Sequence, residues 1–433
     1  MKKKYLTIAI LFSIFIVSAQ NDKVVSWIDE NAITIEDANP DTQLSIFNDN
    51  IPKRFTDAKI FGFGETTHHG KEFFDIKAKF FKYLVETQDV KVFIIEDSYP
   101  SEAGINEWIS GGKGDVETIA KNFSIVPWYC KEVVNLLEWM RNYNLDKTKE
   151  QHIQFYGMDI QVVKNINKEI RGLVKKYNIP VSEELLLVAD KCVEKKVEYN
   201  KSTDWADIQI PKLNKIESIL IDSQNGIKND NITEFNSVIR ALDYLKKYTF
   251  YVQNNYSQDR DLKMFENVKW LVENKAKNGK VFVWAHNEHI NYRGFGNYSK
   301  RNIYNLGRHL KEHYKNNYYS VGFDFGKGTL GGYIFNKDEG TRWKMYQLNE
   351  PFSKTYAKTL IQAKDDIYFI DMYKALNSNA KDFFNTKNMQ LVNGASGYNP
   401  KNNQLYKQKY SEMYDGLIFV KKISVPNYKL SEK

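Results

Sequence analysis

The chain has 433 residues, 42% hydrophobic and 14% aromatic, enough for a large core, which excludes disordered, collagen-like and coiled-coil classes. Lys and Arg number 62 against 54 Asp and Glu, and the lysines are scattered among acids, so the charge reads as a solvated surface and no nucleic-acid partner is expected. Nine Pro and no Gly/Ser-rich or Pro-rich linker point to a single large domain over residues 20–433.

Residues 1–19 open with Lys2-Lys3-Lys4, run apolar from Leu6 to Val17 and end at Ser18-Ala19. This is the layout of a bacterial secretory signal cleaved after Ala19, so the expectation is an exported protein, periplasmic or secreted. The apolar run is too short to span a bilayer, and no later segment approaches the ~18–20 apolar residues that a span needs, so no membrane anchor is expected. No cysteine follows the run, which disfavours a lipoprotein. Cys130 and Cys192 are the two cysteines; one disulfide between them is left open, and no C-x-x-C pattern occurs.

Short β-branched and aromatic runs then alternate with helical patterns. Lys59–Phe63, Val92–Ile95, Ile153–Gly157, Lys280–Trp284, Tyr318–Phe323, Ile367–Ile370 and Leu417–Val420 read as buried strands. Between the first two, Glu72–Glu86 places Phe73, Ile76, Phe80 and Leu84 on one helical face, with Lys71, Lys77 and Lys79 among the polar positions. The alternation predicts an α/β fold with a mostly parallel central sheet flanked by helices. Residues from about 162 to 278 are charged and amphipathic with hardly any strand signal, and read as a helical insertion that packs over one end of the sheet or walls a substrate cleft. Asn302–Tyr314 reads as a further helix, and no internal repeat is evident.

Two motifs are set aside. His309-Leu310-Lys311-Glu312-His313 fits the inverted zinc-protease pattern H-x-x-E-H, but Leu306 and Leu310 fall at core spacing and the segment reads as a surface helix. Gly326-Lys327-Gly328-Thr329-Leu330-Gly331 fits G-x-G-x-x-G, yet Tyr333-Ile334-Phe335 follows as strand where a dinucleotide site needs a helix, so a tight turn is expected. No G-x-S-x-G and no P-loop motif is present.

The informative pattern is where acids and histidines fall. The first strand runs into Gly64-Glu65-Thr66-Thr67-His68-His69-Gly70, the second into Glu96-Asp97, the third ends in Asp159, and the fourth runs into Ala285-His286-Asn287-Glu288-His289. In an open parallel sheet functional groups gather outside the carboxyl ends of the strands, so these residues are expected to face one cleft. Four of the seven histidines lie in two of these loops. Two chemistries suit such a set. A neutral imidazole can take a proton from water while a carboxylate orients the ring and a second histidine polarises the carbonyl, giving ester, lactone or amide hydrolysis without a covalent intermediate. Alternatively the His and Glu set binds a divalent metal whose water is the nucleophile.

In the segments Gly62–Phe74, Phe93–Glu96, Pro127-Trp128, Gly157–Asp159, Trp284–His289 and Val321–Phe325, in that order, the sequence resembles the erythromycin esterase family, which hydrolyses the macrolactone of erythromycin-type antibiotics. The resemblance implies a metal-independent hydrolase with no cofactor and a small-molecule ester as its substrate. It further implies that His68 is the base that activates water, that Glu65 and Glu96 are its acidic neighbours, and that His286 and His289 are the further essential histidines. One of the two would stabilise the oxyanion or protonate the leaving alkoxide. Lys77, where the family usually has Arg, and Trp128 would contact substrate. His69, at a position usually small in the family, would be structural or auxiliary. An esterase for another substrate, a metal-dependent hydrolase on the same residues and an exported binding module are the competing expectations.

Overall fold

The computed structural model of the chain describes residues 21–196, 204–227, 232–254, 257–296, 300–336, 340–394, 396–400 and 404–428. The expected export signal, residues 1–19, lies outside them. The strands are β1 (Ile33–Thr34), β2 (Ile60–Phe63), β3 (Val92–Ser98), β4 (Gln154–Asp159), β5 (Val281–Trp284), β6 (Tyr318–Asn336), β7 (Gly340–Leu348), β8 (Ile367–Asp371), β9 (Asn388–Leu391), β10 (Leu405–Gln408) and β11 (Gly416–Ile423). The helices that bear on the site are α1 (Lys71–Gln88), α2 (Tyr99–Ile109), α3 (Ile232–Asn254) and α4 (Ser257–Asn274). The fold is α/β with a mostly parallel sheet flanked by helices, as the strand and helix alternation predicts. The described residues form two compact units: those within Met1–Val90, Cys130–Glu132 and Phe282–Lys429 make up one, and those within Lys91–Tyr129 and Val133–Val281 the other.

In the first unit β6 lies between β2 and β11 and is parallel to both, with Ile60 opposite Tyr318 and Gly416 opposite Val321. β8 pairs antiparallel with β11, and β1 antiparallel with β8. These strands are buried aromatic and aliphatic runs, so their faces fill the core: Phe63 stacks on Phe282, and Phe47 sits edge-on to Phe55, Phe80 and Phe369. α1 buries the predicted face, Phe73, Ile76, Phe80 and Leu84, but also Lys77 and Lys79, which the pattern placed among the polar positions. Both lysines have acidic partners, Lys77 the buried Glu65 and Lys79 the half-exposed Asp37, and it is these that allow the burial.

The glycine-rich segment 326–331 corrects one expectation. It is not a turn; it continues β6, which passes from β11 to an antiparallel partner, β7. Gly328 has φ +139°, and a Cβ there would fall 1.9 Å from the Ile423 carbonyl oxygen, so the glycine serves close strand approach at the change of partner. The predicted helix at 302–314 begins later, at Leu306, because the Asn305 side chain caps it by accepting from the Arg308 N–H. Leu306 and Leu310 are buried and His313 is exposed, so the H-x-x-E-H segment is a surface helix.

In the second unit β3 and β4 run parallel, in register from Val92 and Gln154 to Ile95 and Gly157. The register then shifts before Ser98 meets Asp159, so Glu96 and Asp97 occupy an irregularity in the strand. Such a bulge re-aims side chains at the end of a strand. Between Ile166 and Asn274 the described residues form helices and no strand. Their core joins Ile170, Leu173, Leu213, Leu220, Leu242 and Leu245. Cys192 lies in this core as a free thiol that burial pushes up to about 11. No helix among the described residues is long and apolar enough to cross a membrane.

Candidate active site

In the first unit, β2 ends at Phe63 and the chain turns at once through Gly64 and Glu65. Gly64 is required there: a Cβ would lie 2.1 Å from Asn287 Oδ1, at the start of the short helix that follows β5. The Asn287 N–H donates to the Glu65 carbonyl at 2.8 Å, while its side chain accepts from the Phe323 N–H and donates to the Phe323 carbonyl. One asparagine therefore ties the ends of β2 and β5 to the main chain of β6, and with it sets the spacing between Glu65 and His286.

Glu65 is fully buried and divides its two oxygens. Oε1 lies 3.0 Å from His68 Nδ1, and Oε2 is ion-paired with Lys77. The Lys77 ammonium, itself fully buried, sits 3.9 Å from the centre of the Trp284 ring, so an aromatic face and a carboxylate together satisfy the charge. A carboxylate only accepts, so the His68 proton belongs on Nδ1 and Nε2 carries the lone pair. His286 has the opposite tautomer: its Nδ1 accepts from the Glu288 N–H at 3.2 Å, which leaves the proton on Nε2. The two rings lie 4.9 Å apart, centre to centre, and both residues are about 4% exposed. A proton acceptor and a proton donor thus stand side by side. His289 is buried on the short helix Asn287–Ile290, its N–H bonded to the His286 carbonyl. His69 turns away; its Nδ1 is 2.7 Å from the Tyr428 hydroxyl and its ring packs on Trp343.

In the second unit, Glu96 is 3% exposed and its Oε1 accepts from Arg260 Nη2 at 2.9 Å. Arg260 also grips Asp159 with Nε at 2.9 Å and Nη2 at 2.7 Å. Burial opposes the guanidinium charge, but Asp159 and Glu96 outweigh it and hold Arg260 well above its ordinary pKa. The neighbouring Asp97 has no such cation. Burial pushes its carboxyl up to about 7, against the hydrogen bonds it accepts from Ser98 and Ser124. Trp128 is fully buried, and its indole N–H donates to the Glu96 carbonyl at 2.9 Å. It props the strand end.

The structure thus brings Glu65, His68, Lys77 and His286 together, with His289 next in line, and places Glu96 and Trp128 side by side. Lys77 holds Glu65 from inside the fold. Arg260 and Asn287 escaped sequence reasoning as site residues. The signal for Arg260 was the acids themselves, since a cation is one way to hold buried carboxylates at strand ends, but this one lies 164 residues from Glu96 in sequence.

The erythromycin esterase family model matches residues 85–423, well over half of the chain. That span holds Glu96, Trp128, His286 and His289, and begins after Glu65, His68 and Lys77. An erythromycin esterase type II of Escherichia coli is 25% identical over 369 residues, covering 77% of this chain and 85% of the relative. Among solved structures, a Bacillus cereus protein aligns over 94% of this chain and 99% of its own at a TM-score of 0.79 and 22% identity. A protein described as a succinoglycan biosynthesis protein gives 0.77 at 20% identity, over 94% of this chain and 99% of its own. A mutant of the erythromycin esterase EreC in its open conformation gives 0.66 at 14% identity, over 91% of this chain and 98% of its own. These structural likenesses establish the shared fold. By the family match, the chain belongs to the erythromycin esterase family of carboxylic ester hydrolases.

Proposed function

We propose that this chain hydrolyses the macrolactone ester of erythromycin-type macrolides by direct attack of water, and so confers macrolide resistance. The observation that carries the mechanism is the pair of opposed tautomers: His68, protonated on Nδ1 by its bond to Glu65, and His286, protonated on Nε2 because the Glu288 N–H occupies Nδ1. His68 Nε2 takes a proton from water as the water attacks the ester carbonyl. Glu65 offsets the charge that grows on the imidazole, and Lys77 keeps Glu65 ionised for that task. His286 Nε2–H is suited to the oxyanion, because it donates without first having to be protonated. The proton held on His68 then passes to the leaving alkoxide. The macrolide as substrate is supported by family membership and by the E. coli relative's name. Export, for which the layout of residues 1–19 is the support, would put the enzyme where the drug passes before entering the cell.

The test is to incubate purified protein, with and without a chelator, with erythromycin and a panel of macrolides and simple esters, following products by mass spectrometry. A gain of one water on erythromycin, unaffected by chelation, is the expected result. Hydrolysis of simple esters with no macrolide turned over would remove the antibiotic as substrate, and loss of activity with chelator would replace the metal-free mechanism.

A further inference from the structure

We infer that Arg260, which α4 contributes from the helical stretch, is a positioning residue for ester hydrolysis and acts by setting the direction and charge of the Glu96 carboxylate. The inference rests on the reading of Glu96 as an acid of the hydrolytic site.

Three observations separate this role from that of a packing ion pair. First, the docking of α4 does not need the Glu96 contact. Asn267 Nδ2 donates to the Met158 carbonyl at 2.7 Å, and Arg260 already holds Asp159 through two N–H groups, so α4 is fastened to β4 at two points without Glu96. The bond to Glu96 is additional, and it reaches a different strand. Second, Glu96 sits where β3 leaves register with β4, a stretch in which the sheet ladder no longer dictates where a side chain points. Trp128 fixes the Glu96 main chain through its carbonyl, and Arg260 fixes the carboxylate, so the residue is held at both ends. Third, the fork is matched to the task. One guanidinium spans two carboxylates at 2.7–2.9 Å, with side chains 16%, 4% and 2% exposed for Arg260, Glu96 and Asp159. A lysine, as a point charge, cannot hold the two oxygens of Asp159 and one of Glu96 in a fixed plane. Asp159, Asp97 and Asp261 beside this fork are all acidic and disfavour a further negative charge, and the Arg260 guanidinium opposes them at Glu96.

The experiment compares Arg260→Lys, Arg260→Gln, Glu96→Gln and the Arg260→Gln/Glu96→Gln double variant, each checked for a native melting transition, on erythromycin and on a simple p-nitrophenyl ester. Arg260→Lys keeps the charge and guards against a variant that fails to fold. It is expected to lose ~10²-fold in kcat with KM little changed, the size of effect that follows from misplacing a catalytic group by about an ångström. The double variant is expected to be no worse than Glu96→Gln alone, because the two residues act as one unit. Arg260→Lys within threefold of wild type, or losses that multiply in the double variant, would overturn the inference. Turnover of the simple ester but not of erythromycin would dispose of the macrolide reading while the cycle still decides the role of Arg260. If no ester is turned over, a carbon-13 NMR titration of the Glu96 carboxyl decides: its pKa rises in Arg260→Gln if the inference holds, and an unchanged value would refute it.

Discussion

Glu65 and Glu96 solve one problem in two ways. Both are buried carboxylates at strand ends and each is held by a cation, but Glu65 has a buried lysine from the next helix and Glu96 a partly buried arginine far along the chain. Lys77 is a point charge that takes one oxygen of Glu65 and rests on Trp284, leaving the other oxygen for His68. Arg260 divides its fork between Glu96 and Asp159. A point charge suffices where the acid needs only to stay ionised for one histidine; a fork is needed where two acids must be held apart in a fixed plane. Asp97 and Asp324 show the alternative. They are equally buried but are held by hydroxyl, amide and main-chain donors, and burial pushes both up to about 7.

The largest effect that bears on this contrast is at His68, the group that Glu65 serves. His68→Asn should lose ~10²–10⁴-fold in kcat with the fold intact by circular dichroism, since a positioned base contributes that much. Breaking the lysine side comes next. Lys77→Met leaves Glu65 buried without its cation, and denaturant unfolding should show a loss of ~3–5 kcal/mol, the usual result of removing one member of a buried pair. An unfolding midpoint unchanged in Lys77→Met would mean that the pair is not what keeps Glu65 charged.

The acids without cations give a smaller, pH-dependent effect. The Asp324 carboxyl, pushed up to about 7 by burial although Tyr410 donates to it at 2.5 Å, keeps a proton that the unfolded chain has already released above its ordinary value of 3.8. Its contribution to stability is therefore present below pH 4, falls as pH rises to about 7 and is constant above. Asp324→Asn imitates the protonated state, so its melting temperature relative to wild type should rise between pH 4 and pH 8. A gap that does not change with pH would contradict the raised pKa. The smallest effect is at the auxiliary histidine. Tyr428→Phe removes the hydroxyl at His69 and should cost ~0.5–1.5 kcal/mol, with kcat within a few-fold of wild type.

Much of this was legible in the sequence. Strands such as Val92–Ile95 and Leu417–Val420 declare themselves because a buried parallel strand must be continuously apolar, and the acids and histidines stand out because they interrupt such runs. The mistaken turn at 326–331 has a physical cause: glycines that permit close strand approach look the same in sequence as glycines that permit a turn. Lys77 read as polar surface because periodicity records the chemistry of a residue and not the partner that lets it be buried. Arg260 was invisible for the same reason, compounded by distance: its meaning lies in two carboxylates on two strands, and no local pattern on an amphipathic helix reports them. Likewise the opposed tautomers of His68 and His286 depend on which nitrogen meets Glu65 and which meets the Glu288 N–H, and this is a matter of geometry alone.

The measurement that tests the central claim most directly is the pH dependence of kcat/KM for ester hydrolysis, in wild type and in His68→Asn. If His68 is the base, the wild-type rate falls between pH 8 and pH 5 as the imidazole takes up its proton, and the variant keeps less than about a tenth of the activity and loses that acid limb. A wild-type rate independent of pH over this range, or a variant with near-normal activity and the same limb, would contradict it.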